Sequence, residues 1–496
     1  MGISGDQTTQ LIGRLAEQAI LQEMLESNQA EFLAIYGRRR IGKTFLIREY
    51  FKDKDVIFFN STGSKDGSLI EQVQHFTKEI SKVFYRSIKL ESSKNWDSTF
   101  ELLTKAMETI SGNKKIVLFF DELPWMATKN SKLLTTLDYY WNQYWNRDKR
   151  IRLIICGSSA SWIVDKIISN KGGLHNRITK QIRLLPFNLR ETKAFLDKKD
   201  IRLTHNQIIQ TYMVTGGVPY YLNNIRKGMS AAQNIDLLAF SSDGLLFKEF
   251  DNLFAALFDM HELCVRIIKI IAECQSGVNQ EDIFKKIGDE KNKGQLGLQK
   301  LKELEDAGFI IRFKPYLHKT RGIYYKVIDE YTLFYLAWIK PFRDNLVQGM
   351  SSGSWEIQQK TPAWYSWAGM AFESICYKHI NQIRAALDLD ASAMPNTWRF
   401  NGKGDQNGAQ IDLLFDRRDD SITLCEIKYT SKPFLIDKAY AQNIENKIQI
   451  FKNATRTRKQ IFFSMISASG LQKTRYSEEL ISQVVTLEDL FEDCLR

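Results

Sequence analysis

Two hydrophobic patterns alternate over the first 185 residues of the chain. Short continuous apolar runs are typical of strands buried on both faces, and stretches whose apolar residues recur every three to four positions are typical of helices. The predicted strands are 31–37, 56–60, 115–120 and 151–157, and a long helix is predicted over 44–51. This alternation predicts a parallel α/β sheet with helices on its faces.

The pattern changes after Pro186, where the chain becomes mainly helical to about residue 248. Helical stretches at 262–274, 279–286 and 293–307 then run into two strand-like segments, AGFIIRF and GIYYKVI, joined by a basic turn. Three helices followed by a β-hairpin are the order of a winged helix. The small, polar segment 350–360 predicts a linker, and the rest of the chain again mixes helices and strands.

The segment GRRRIGKT, residues 37–44, fits the phosphate-binding pattern G-x-x-x-x-G-K-[ST] and lies between the first strand and the first long helix. In that position backbone N–H groups and the helix dipole point at a phosphate, Lys43 reaches the β- and γ-phosphates, and Thr44 binds Mg²⁺. A chance match is the alternative, and the flanking strand and helix argue against it. The residues predicted to contact ATP here are Gly37, Arg38, Arg39, Arg40, Ile41, Gly42, Lys43, Thr44 and Phe45.

A second motif follows where the apolar run IVLFF ends in Asp121 and Glu122. Two carboxylates at the end of an apolar run are costly unless they serve a cation or a reaction. Asp121 is the expected Mg²⁺ partner, held through water, and Glu122 the general base that polarises the attacking water. An ordinary solvated strand end is the alternative.

Two further candidates lie beyond the fourth strand. Ser158 or Ser159, in ICGSS, is placed to sense the γ-phosphate, and a simple turn is the alternative. Arg177, in GGLHNR, is a candidate arginine finger acting in cis or in trans, and a solvated loop arginine is the alternative.

Six motifs, in order, resemble the archaeal-type ATPases of the STAND branch of the AAA+ proteins, over about residues 10–345. They are LIGR (11–14), GRRRIGKT, DELPWM, ICGSS, GGLHNR and GGVPYYL (216–222). The resemblance implies that Leu11, Ile12 and Arg14 lie near the adenine. It also implies that Pro219 belongs to a helical lid and that the nucleotide acts as a switch.

Composition limits the setting of these motifs. The net charge of +11 fits a polyanionic partner, which would bind through counterion release, or a protein that is merely basic. No apolar run reaches the roughly 20 residues of a membrane helix, and the polar N-terminus lacks the features of a signal peptide. The six cysteines are scattered without a CxxC pair, which argues against a zinc knuckle or a disulfide framework. We expect a cytoplasmic protein with no membrane partner.

The predicted winged helix carries basic residues on its third helix, its strands and its wing. They are Lys293, Lys300, Lys302, Arg312, Lys314, Lys319 and Arg321. Such a helix fits a major groove and such a wing fits phosphates. The resemblance to STAND-type ATPases implies the alternative, a relay that packs on the ATPase and never touches DNA.

The segments QIDLLFD and SITLCEIKYT read as two strands joined by a polar turn. If this hairpin is symmetric about Arg418, Asp412 lies opposite Leu424. Asp412 then shares a sheet face with Glu426 and Lys428. Two carboxylates beside a lysine predict a Mg²⁺ site, with the lysine orienting or deprotonating a water for phosphodiester hydrolysis. A surface ion cluster is the alternative.

This pattern resembles the PD-(D/E)XK nuclease superfamily over about residues 361–490: an acid at the start of a hairpin, then acid-x-lysine in the next strand. The resemblance implies an upstream helical acid, which Glu373 matches. It also implies an accessory polar residue in the helix after the second strand, for which Gln442 or Gln449 is the candidate. Family members include active nucleases and decayed folds.

The expected fold is an α/β protein with a P-loop parallel-sheet ATPase core and a restriction-endonuclease-like C-terminal domain. The predicted domains are an ATPase core (1–185), a helical lid (186–255), a winged-helix domain (256–349) and a PD-(D/E)XK nuclease-like domain (350–496). The cofactors are ATP and Mg²⁺, and nucleotide state is expected to control a nuclease acting on nucleic acid, with DNA favoured over RNA. The alternatives are a regulatory switch whose inactive nuclease fold binds protein, DNA or another copy, and a DNA-binding regulator acting through the winged helix.

Overall fold

The computed structural model describes residues 11–169, 173–274, 276–289, 294–317, 322–345, 354–400, 402 and 408–493. The chain divides into two units. The first comprises Met1–Pro186, Ala256–Asp259 and Lys302–Gly308, and the second comprises Phe187–Ala255, Met260–Leu301 and Phe309–Arg496. Lys293, Lys319 and Arg321, predicted as basic contacts of the winged helix, lie outside the described residues.

The apolar runs of the first unit form one parallel sheet in the order β2-β3-β4-β1-β5. Its strands are β1 (Glu31–Tyr36), β2 (Val56–Thr62), β3 (Lys115–Asp121), β4 (Ile151–Gly157) and β5 (Lys180–Arg183). The four predicted strands are confirmed with small shifts at their ends. The fifth was not predicted, because within its four residues only Ile182 is buried.

Helices cover both faces of this sheet. They are α1 (Leu15–Glu26), α2 (Lys43–Phe51), α3 (Leu69–Phe84), α4 (Trp96–Glu108), α5 (Leu123–Met126), α6 (Leu133–Gln143) and α7 (Ala160–Ile163), with shorter turns at Trp145–Arg147, Val164–Ile168 and His175–Arg177. Alternate residues of β1 enter two separate cores: Leu33 and Ile35 pack with α1 and α2, whereas Phe32 and Ala34 pack with α3, α4 and α6. A strand buried on both faces must be apolar throughout, which explains the continuous apolar run.

The strand order brings three carboxyl ends side by side. The parallel pairs reach Tyr36↔Gly157 between β1 and β4, and Phe120↔Ile155 between β3 and β4. The segments that follow these strands therefore meet at one edge of the sheet, where open α/β sheets bind their ligands.

Helices dominate the chain after Pro186. They are α8 (Leu189–Lys198), α9 (His205–Thr215), α10 (Pro219–Leu222), α11 (Ala231–Ala239) and α12 (Glu249–Leu257). Asn188, Thr204 and Ser230 cap three of them by accepting a backbone N–H from three residues ahead. Gly217 follows α9 with a φ of 67°, and a Cβ there would lie 2.0 Å from the Phe187 carbonyl oxygen, so only glycine fits.

The predicted three helices and hairpin of the middle segment are present. They are α13 (His261–Ala272), α14 (Gln280–Ile287) and α15 (Gly294–Asp306), with a small antiparallel sheet of β6 (Val278–Asn279), β8 (Tyr324–Val327) and β7 (Ile310–Phe313). The expectation that the lysines of α15 are open to DNA is wrong for Lys300, which protein covers and which is 4% exposed. Lys302 is exposed, with its charge paired to Asp165.

Further helices precede the last sheet. They are α16 (Glu330–Phe334), α17 (Lys340–Asn345), α18 (Ser354–Gln358), α19 (Pro362–Lys378) and α20 (Ile380–Ala386), with a π-helical stretch at Tyr335–Ile339. The predicted linker is wrong over α18. Trp355 is fully buried, and its ring stacks on Phe240 at a centroid distance of 5.0 Å. A tryptophan in a polar stretch was the signal that the segment packs.

The last sheet is mixed, in the order β13-β12-β11-β10-β9. Its strands are β9 (Met394–Phe400), β10 (Ala409–Asp416), β11 (Ser421–Lys428), β12 (Gln460–Ser467) and β13 (Gln483–Val485), accompanied by α21 (Lys438–Thr455), α22 (Arg475–Leu480) and a turn at Glu488–Phe491. The buried stripe of α21 packs on one face of this sheet. Among the described helices, none has the length and apolar character needed to cross a bilayer.

Candidate nucleotide and metal sites

Two glycines shape the loop at residues 37–44. Gly37 has a φ of 148°, and a Cβ on it would lie 2.3 Å from the Leu184 carbonyl oxygen. Gly42, with a φ of 90°, is the N-cap of α2 and provides no side-chain cap. The first N–H groups of α2 are therefore left for a ligand, as at other anion-binding helix N-termini.

Lys43 and Thr44 are the first two residues of α2, and their side chains point toward the phosphate loop and the end of β3. The Lys43 side chain is buried, and its Nζ donates to the carbonyl oxygens of Gly37 (2.8 Å) and Arg38 (2.9 Å). Thr44 Oγ1 donates to Asp121 Oδ2 at 2.8 Å. Hydroxyl and carboxylate oxygens are ligands that Mg²⁺ takes, so the loop and the end of β3 fit a magnesium-bound nucleoside triphosphate.

Glu122 and Ser158, predicted in separate roles, are in direct contact. Oε2 of Glu122 accepts from the Ser158 N–H and from its Oγ, each at 2.9 Å. Glu122 also has a φ of 49°, an unusual conformation for a residue with a side chain. The serine of ICGSS that reaches the acidic pair is thus Ser158, and it orients the carboxylate predicted to polarise water.

The remaining predicted nucleotide contacts vary in exposure. Arg14, buried and with a φ of 56°, donates from Nη2 to the Ile41 carbonyl oxygen at 3.5 Å, so the LIGR motif touches the phosphate loop. Arg38 and Ile41 are buried, Leu11, Ile12 and Arg40 are half-buried, and Arg39 and Phe45 are exposed.

Two predicted residues remain untested. Arg177 is exposed within the turn His175–Arg177, and its role as an arginine finger stays a prediction. Pro219 begins α10 in the second unit, and its role in a lid stays a prediction as well.

The C-terminal hairpin has a different register from the predicted one. The Arg417 N–H donates to the Ser421 carbonyl oxygen at 3.1 Å, which leaves a loop over 418–420 with Asp420 at a φ of 62°. Leu414 therefore pairs with Leu424, and the ladder ends at the pair of Leu413 with Cys425. Beside it, the pairing of β10 with β9 shifts register between Ile411 and Leu414, which is where Asp412 lies. The predicted pairing of Asp412 with Leu424 is wrong, because Leu414 takes that place. Asp412 is still close enough to Glu426 for the charge of one carboxylate to act on the other.

Glu426 is the centre of a buried polar network. The residue is 3% exposed, and its carboxylate lies 2.9 Å from Lys428 Nζ and 2.7 Å from Lys447 Nζ. The Tyr440 hydroxyl donates to Oε1 at 2.9 Å. Asp412, also buried, accepts from the Ile427 N–H on Oδ2 at 3.0 Å, so that carboxylate is oriented by the backbone of β11.

Burial and neighbouring charges shift the pKa values of the residues in this network. Burial, followed by the charges of Glu426 and Glu373, raises the pKa of Asp412 to about 7. Burial also acts to raise the pKa of Glu426, but the ammonium groups of Lys428 and Lys447 more than offset it, and its pKa is lowered. For Lys428, burial acts to lower the pKa, but the Glu426 carboxylate and Tyr440 together raise it by more, so that lysine stays protonated. Asp412 therefore changes charge near neutral pH.

Glu373, the predicted helical acid, contributes a charge near Asp412 but is itself paired. Its Oε2 lies 3.3 Å from Lys326 Nζ. Across the described residues, no group of three or more histidine, cysteine, aspartate or glutamate side chains is placed to hold a metal ion. A metal at this site would take its side-chain ligands from Asp412 and Glu426, whose oxygens are of the right type.

The predicted accessory glutamines are wrong. Gln442 and Gln449 are exposed and hydrogen-bond along their own helix, to Asn446 and Asn453. Tyr440 and Lys447 reach Glu426 instead. They lie two turns apart on α21, in the stripe that includes buried Ile444. A tyrosine and a lysine at helical spacing within a buried stripe were the signal that could have identified them.

Comparison with known proteins adds a family to this geometry. Residues 11–225 match the model of an ATPase domain predominantly from Archaea. An uncharacterized protein of Methanocaldococcus jannaschii is 25% identical over 429 residues, covering 84% of this chain and 87% of that one. An uncharacterized ATP-binding protein of the same organism is 36% identical over 45 residues, covering 9% of this chain and 76% of that one.

Among solved structures, a Walker-type ATPase of Pyrococcus abyssi is similar, with a TM-score of 0.46 and 18% identity over 66% of this chain and 96% of that one. That likeness is too distant to carry an argument about this chain. The family match and the relatives agree with the loop geometry at residues 37–44. The chain therefore belongs, through residues 11–225, to the family of ATPase domains predominantly from Archaea.

Proposed function

We propose that this ATPase is a STAND-type switch whose nucleotide state controls a metal-dependent nuclease centre in its C-terminal domain. The observation that carries the second half is the pair of buried carboxylates Asp412 and Glu426, whose charges act on each other, with Lys428 bound to Glu426 at 2.9 Å. Burying two carboxylates side by side is costly unless a cation or a reaction uses them.

In the ATPase domain, each residue has a role that its position supports. The N–H groups of the loop and the Lys43 ammonium would hold the phosphates, and Thr44 with Asp121 would hold Mg²⁺. Glu122 would orient the attacking water, and Ser158 would keep that carboxylate in place or sense the γ-phosphate. Bound Mg²⁺ supplies charge neutralisation at the phosphates.

In the C-terminal domain, Asp412 and Glu426 would hold a Mg²⁺, which would supply the charge needed to activate a water for phosphodiester hydrolysis. Lys428, held protonated by Glu426, would position the scissile phosphate or the water rather than remove its proton. Lys447 neutralises Glu426 in the absence of metal, so metal binding would have to displace part of this pairing.

Contacts inside the second unit offer a route for control. The GGVP segment touches Glu330, since a Cβ on Gly216 would lie 2.8 Å from Glu330 Oε2. The same oxygen binds Lys378 Nζ at 2.6 Å, and Lys378 is the last residue of α19. α19 also carries Tyr377, whose hydroxyl donates to the Asp412 carbonyl oxygen. A change in the conformation of the lid segment would therefore shift α19 and, through Tyr377, the position of Asp412.

The test is a cleavage assay on the full chain. Purified protein is incubated with duplex DNA, single-stranded DNA and RNA, in Mg²⁺ or Mn²⁺, with and without ATP. The double variant Glu426→Ala, Lys428→Ala is the control. Metal-dependent products made only by the wild-type protein support the proposal. Equal products from both proteins under every condition would overturn the nuclease claim.

One observation favours a second candidate, a regulatory switch whose nuclease fold binds a protein partner, intact nucleic acid or another copy. Glu426 already has two lysines and a tyrosine as partners, which satisfies a buried carboxylate without metal. This candidate predicts ATP binding that is lost in Lys43→Ala, slow turnover and no cleavage. Direct DNA reading by α15 loses support, because Lys300 is buried.

The setting we propose is the cytoplasm. Within the described part of the chain, Cys156, Cys274, Cys376 and Cys425 are free thiols, as is usual in a reducing compartment. Nucleic acid, DNA in preference to RNA, is the proposed partner, and the chain's net charge of +11 supports a polyanion.

A further inference from the structure

A cleft of about 830 Å³ runs through the second unit beside Asp412. One wall comes from the middle segment, with β7, β8 and α14, and the other comes from β9, β10 and α19. Tyr316 joins the two walls: its N–H donates to the Thr397 carbonyl oxygen at 2.9 Å, and its ring stacks on Phe451 at 6.1 Å. The cleft is thus bounded by parts of the chain that are bonded to each other.

Among the described residues that line the cleft, cations outnumber carboxylates. The cations are Lys285, Lys286, Lys314, Lys326 and Arg399, and the carboxylates are Asp282, Glu373 and Asp412. Asp282 is paired with Lys285, and Glu373 with Lys326. Within the part of the chain that the structure describes, no carboxylate lies within ion-pairing distance of Lys314 or Arg399. A polyanion lying along the cleft would therefore meet unpaired cations at Lys314 and Arg399, in the same cleft that Asp412 lines.

The middle-segment wall also offers aromatic surface. Phe313 and Tyr324 are half-buried, with ring centroids 5.9 Å apart, and both line the cleft. Basic residues interleaved with accessible aromatic rings are what proteins use to hold unpaired nucleotides, because every base has a face that stacks. A lipid headgroup or a small phosphate would not need the rings.

The size of the cleft favours a single strand of nucleic acid over a duplex. Its volume falls in the range of roughly 300–1,000 Å³ typical of pockets for a single small ligand. A duplex is much wider, since its major groove alone measures about 12 Å across. The bridge at Tyr316 also prevents the two walls from separating without breaking its hydrogen bond to Thr397.

We infer that this cleft binds the unpaired strand of a nucleic acid and directs it to Asp412. The inference rests on the proposed nuclease function for its destination, but the binding itself does not need cleavage. It assigns recognition to the cleft formed by β7, β8 and β9 rather than to α15, the helix predicted to read DNA.

The experiment measures binding in EDTA, which suppresses metal-dependent cleavage. Fluorescence anisotropy compares a labelled single-stranded oligonucleotide, as DNA and as RNA, with a blunt duplex of the same sequence. The variant is Lys314→Ala with Arg399→Ala, and the matched control is Lys452→Ala with Lys473→Ala, two exposed lysines that do not line the cleft. Thermal unfolding of each variant verifies that it is folded.

The expected result is single-strand binding about tenfold tighter than duplex binding. The cleft variant should weaken it about tenfold, with a salt slope smaller by about 1.4, as expected when two phosphate contacts are lost. The control variant should stay within about twofold of the wild-type protein. Equal binding by the cleft and control variants, tighter binding of duplex, or no binding of any oligonucleotide would overturn the inference. Single-strand binding without cleavage in Mg²⁺ would overturn the nuclease proposal and leave the cleft assignment standing.

Discussion

The nucleotide site and the C-terminal site each lie at the strands of a buried sheet, but the first is built mainly from backbone groups and the second from side chains. At residues 37–44 the site is largely backbone, shaped by Gly37 and Gly42, with Lys43 hydrogen-bonded inside its own loop. At the C-terminal site, side chains from β11 and α21 form one network around Glu426, and Asp412 of β10 lies near it. A backbone site is encoded by one short segment of sequence and can be recognised there. A side-chain network combines residues from distant segments, so it depends on the tertiary fold.

The largest expected effect comes from a substitution that disables the nucleotide site alone. Lys43→Ala removes the buried ammonium predicted to hold the phosphates, and we expect ATP hydrolysis to fall by about 100-fold or more. Phosphate release measures it. Lys52→Ala, an exposed lysine just after α2, is the control and should hydrolyse ATP at the wild-type rate. Comparable loss in both variants, or in neither, would contradict the role of the loop.

The second effect breaks the other site. Glu426→Gln leaves Lys428 and Lys447 without a charged partner in a buried place, and we expect the free energy of unfolding to fall by about 3 kcal/mol. Denaturant unfolding measures this, and metal-dependent cleavage should be lost while ATP hydrolysis is retained. Glu445→Gln, exposed on α21, should change neither. If Glu426→Gln unfolds like the wild-type protein, the network is not a structural unit.

The contrast between the two sites also explains what the sequence could predict. The sheet, the loop and the Asp121–Glu122 pair were predicted because each is a contiguous segment with a fixed backbone role. In the C-terminal domain, the two strands were predicted from their apolar pattern, whereas the shared face of Asp412, Glu426 and Lys428 stays a prediction, because β10 changes register beside Asp412.

The remaining features depend on details that hydrophobic pattern does not contain. The register of the hairpin is fixed by the left-handed conformation of Asp420 in the turn. The choice of Lys447 rather than Gln442 depends on how α21 is rotated against the sheet. The ion pair between Lys326 and Glu373 joins segments far apart in the chain, so it follows only from the tertiary fold.

A third prediction concerns pH and the second unit. His379 accepts the Leu189 N–H on Nε2 at 3.1 Å, and burial lowers its pKa to about 4. An unfolded histidine titrates near 6.5, so between about pH 6.5 and pH 4 the unfolded chain binds more protons than the folded one. Stability from this residue is complete above about pH 6.5 and is lost as the pH falls to 4, by on the order of 3 kcal/mol.

Denaturant unfolding of the second unit at a series of pH values tests this. His379→Gln retains an acceptor for the Leu189 N–H but cannot take up a proton, so its stability should fall less between pH 6.5 and pH 4. Parallel pH profiles for the variant and the wild-type protein would rule out His379 as the source of the slope.

The smallest predicted effect sharpens the geometry of the C-terminal network. Tyr440→Phe removes one hydrogen bond to Glu426 and should lower the free energy of unfolding by about 1 kcal/mol. Gln442→Ala, two residues along α21 on its exposed face, should stay within about 0.5 kcal/mol of the wild-type protein. The reverse order would mean that α21 presents a different face to the sheet.

The central claim is that the backbone site controls the side-chain site. The most direct measurement is the rate of single-stranded oligonucleotide cleavage in Mg²⁺, with ATP, with ADP and without nucleotide, for the wild-type protein and for Lys43→Ala. We predict that ATP changes the wild-type rate by about fivefold or more, and that the Lys43→Ala rate does not respond to nucleotide. A wild-type rate that is the same in all three conditions, or no greater than that of Glu426→Gln, would contradict the account.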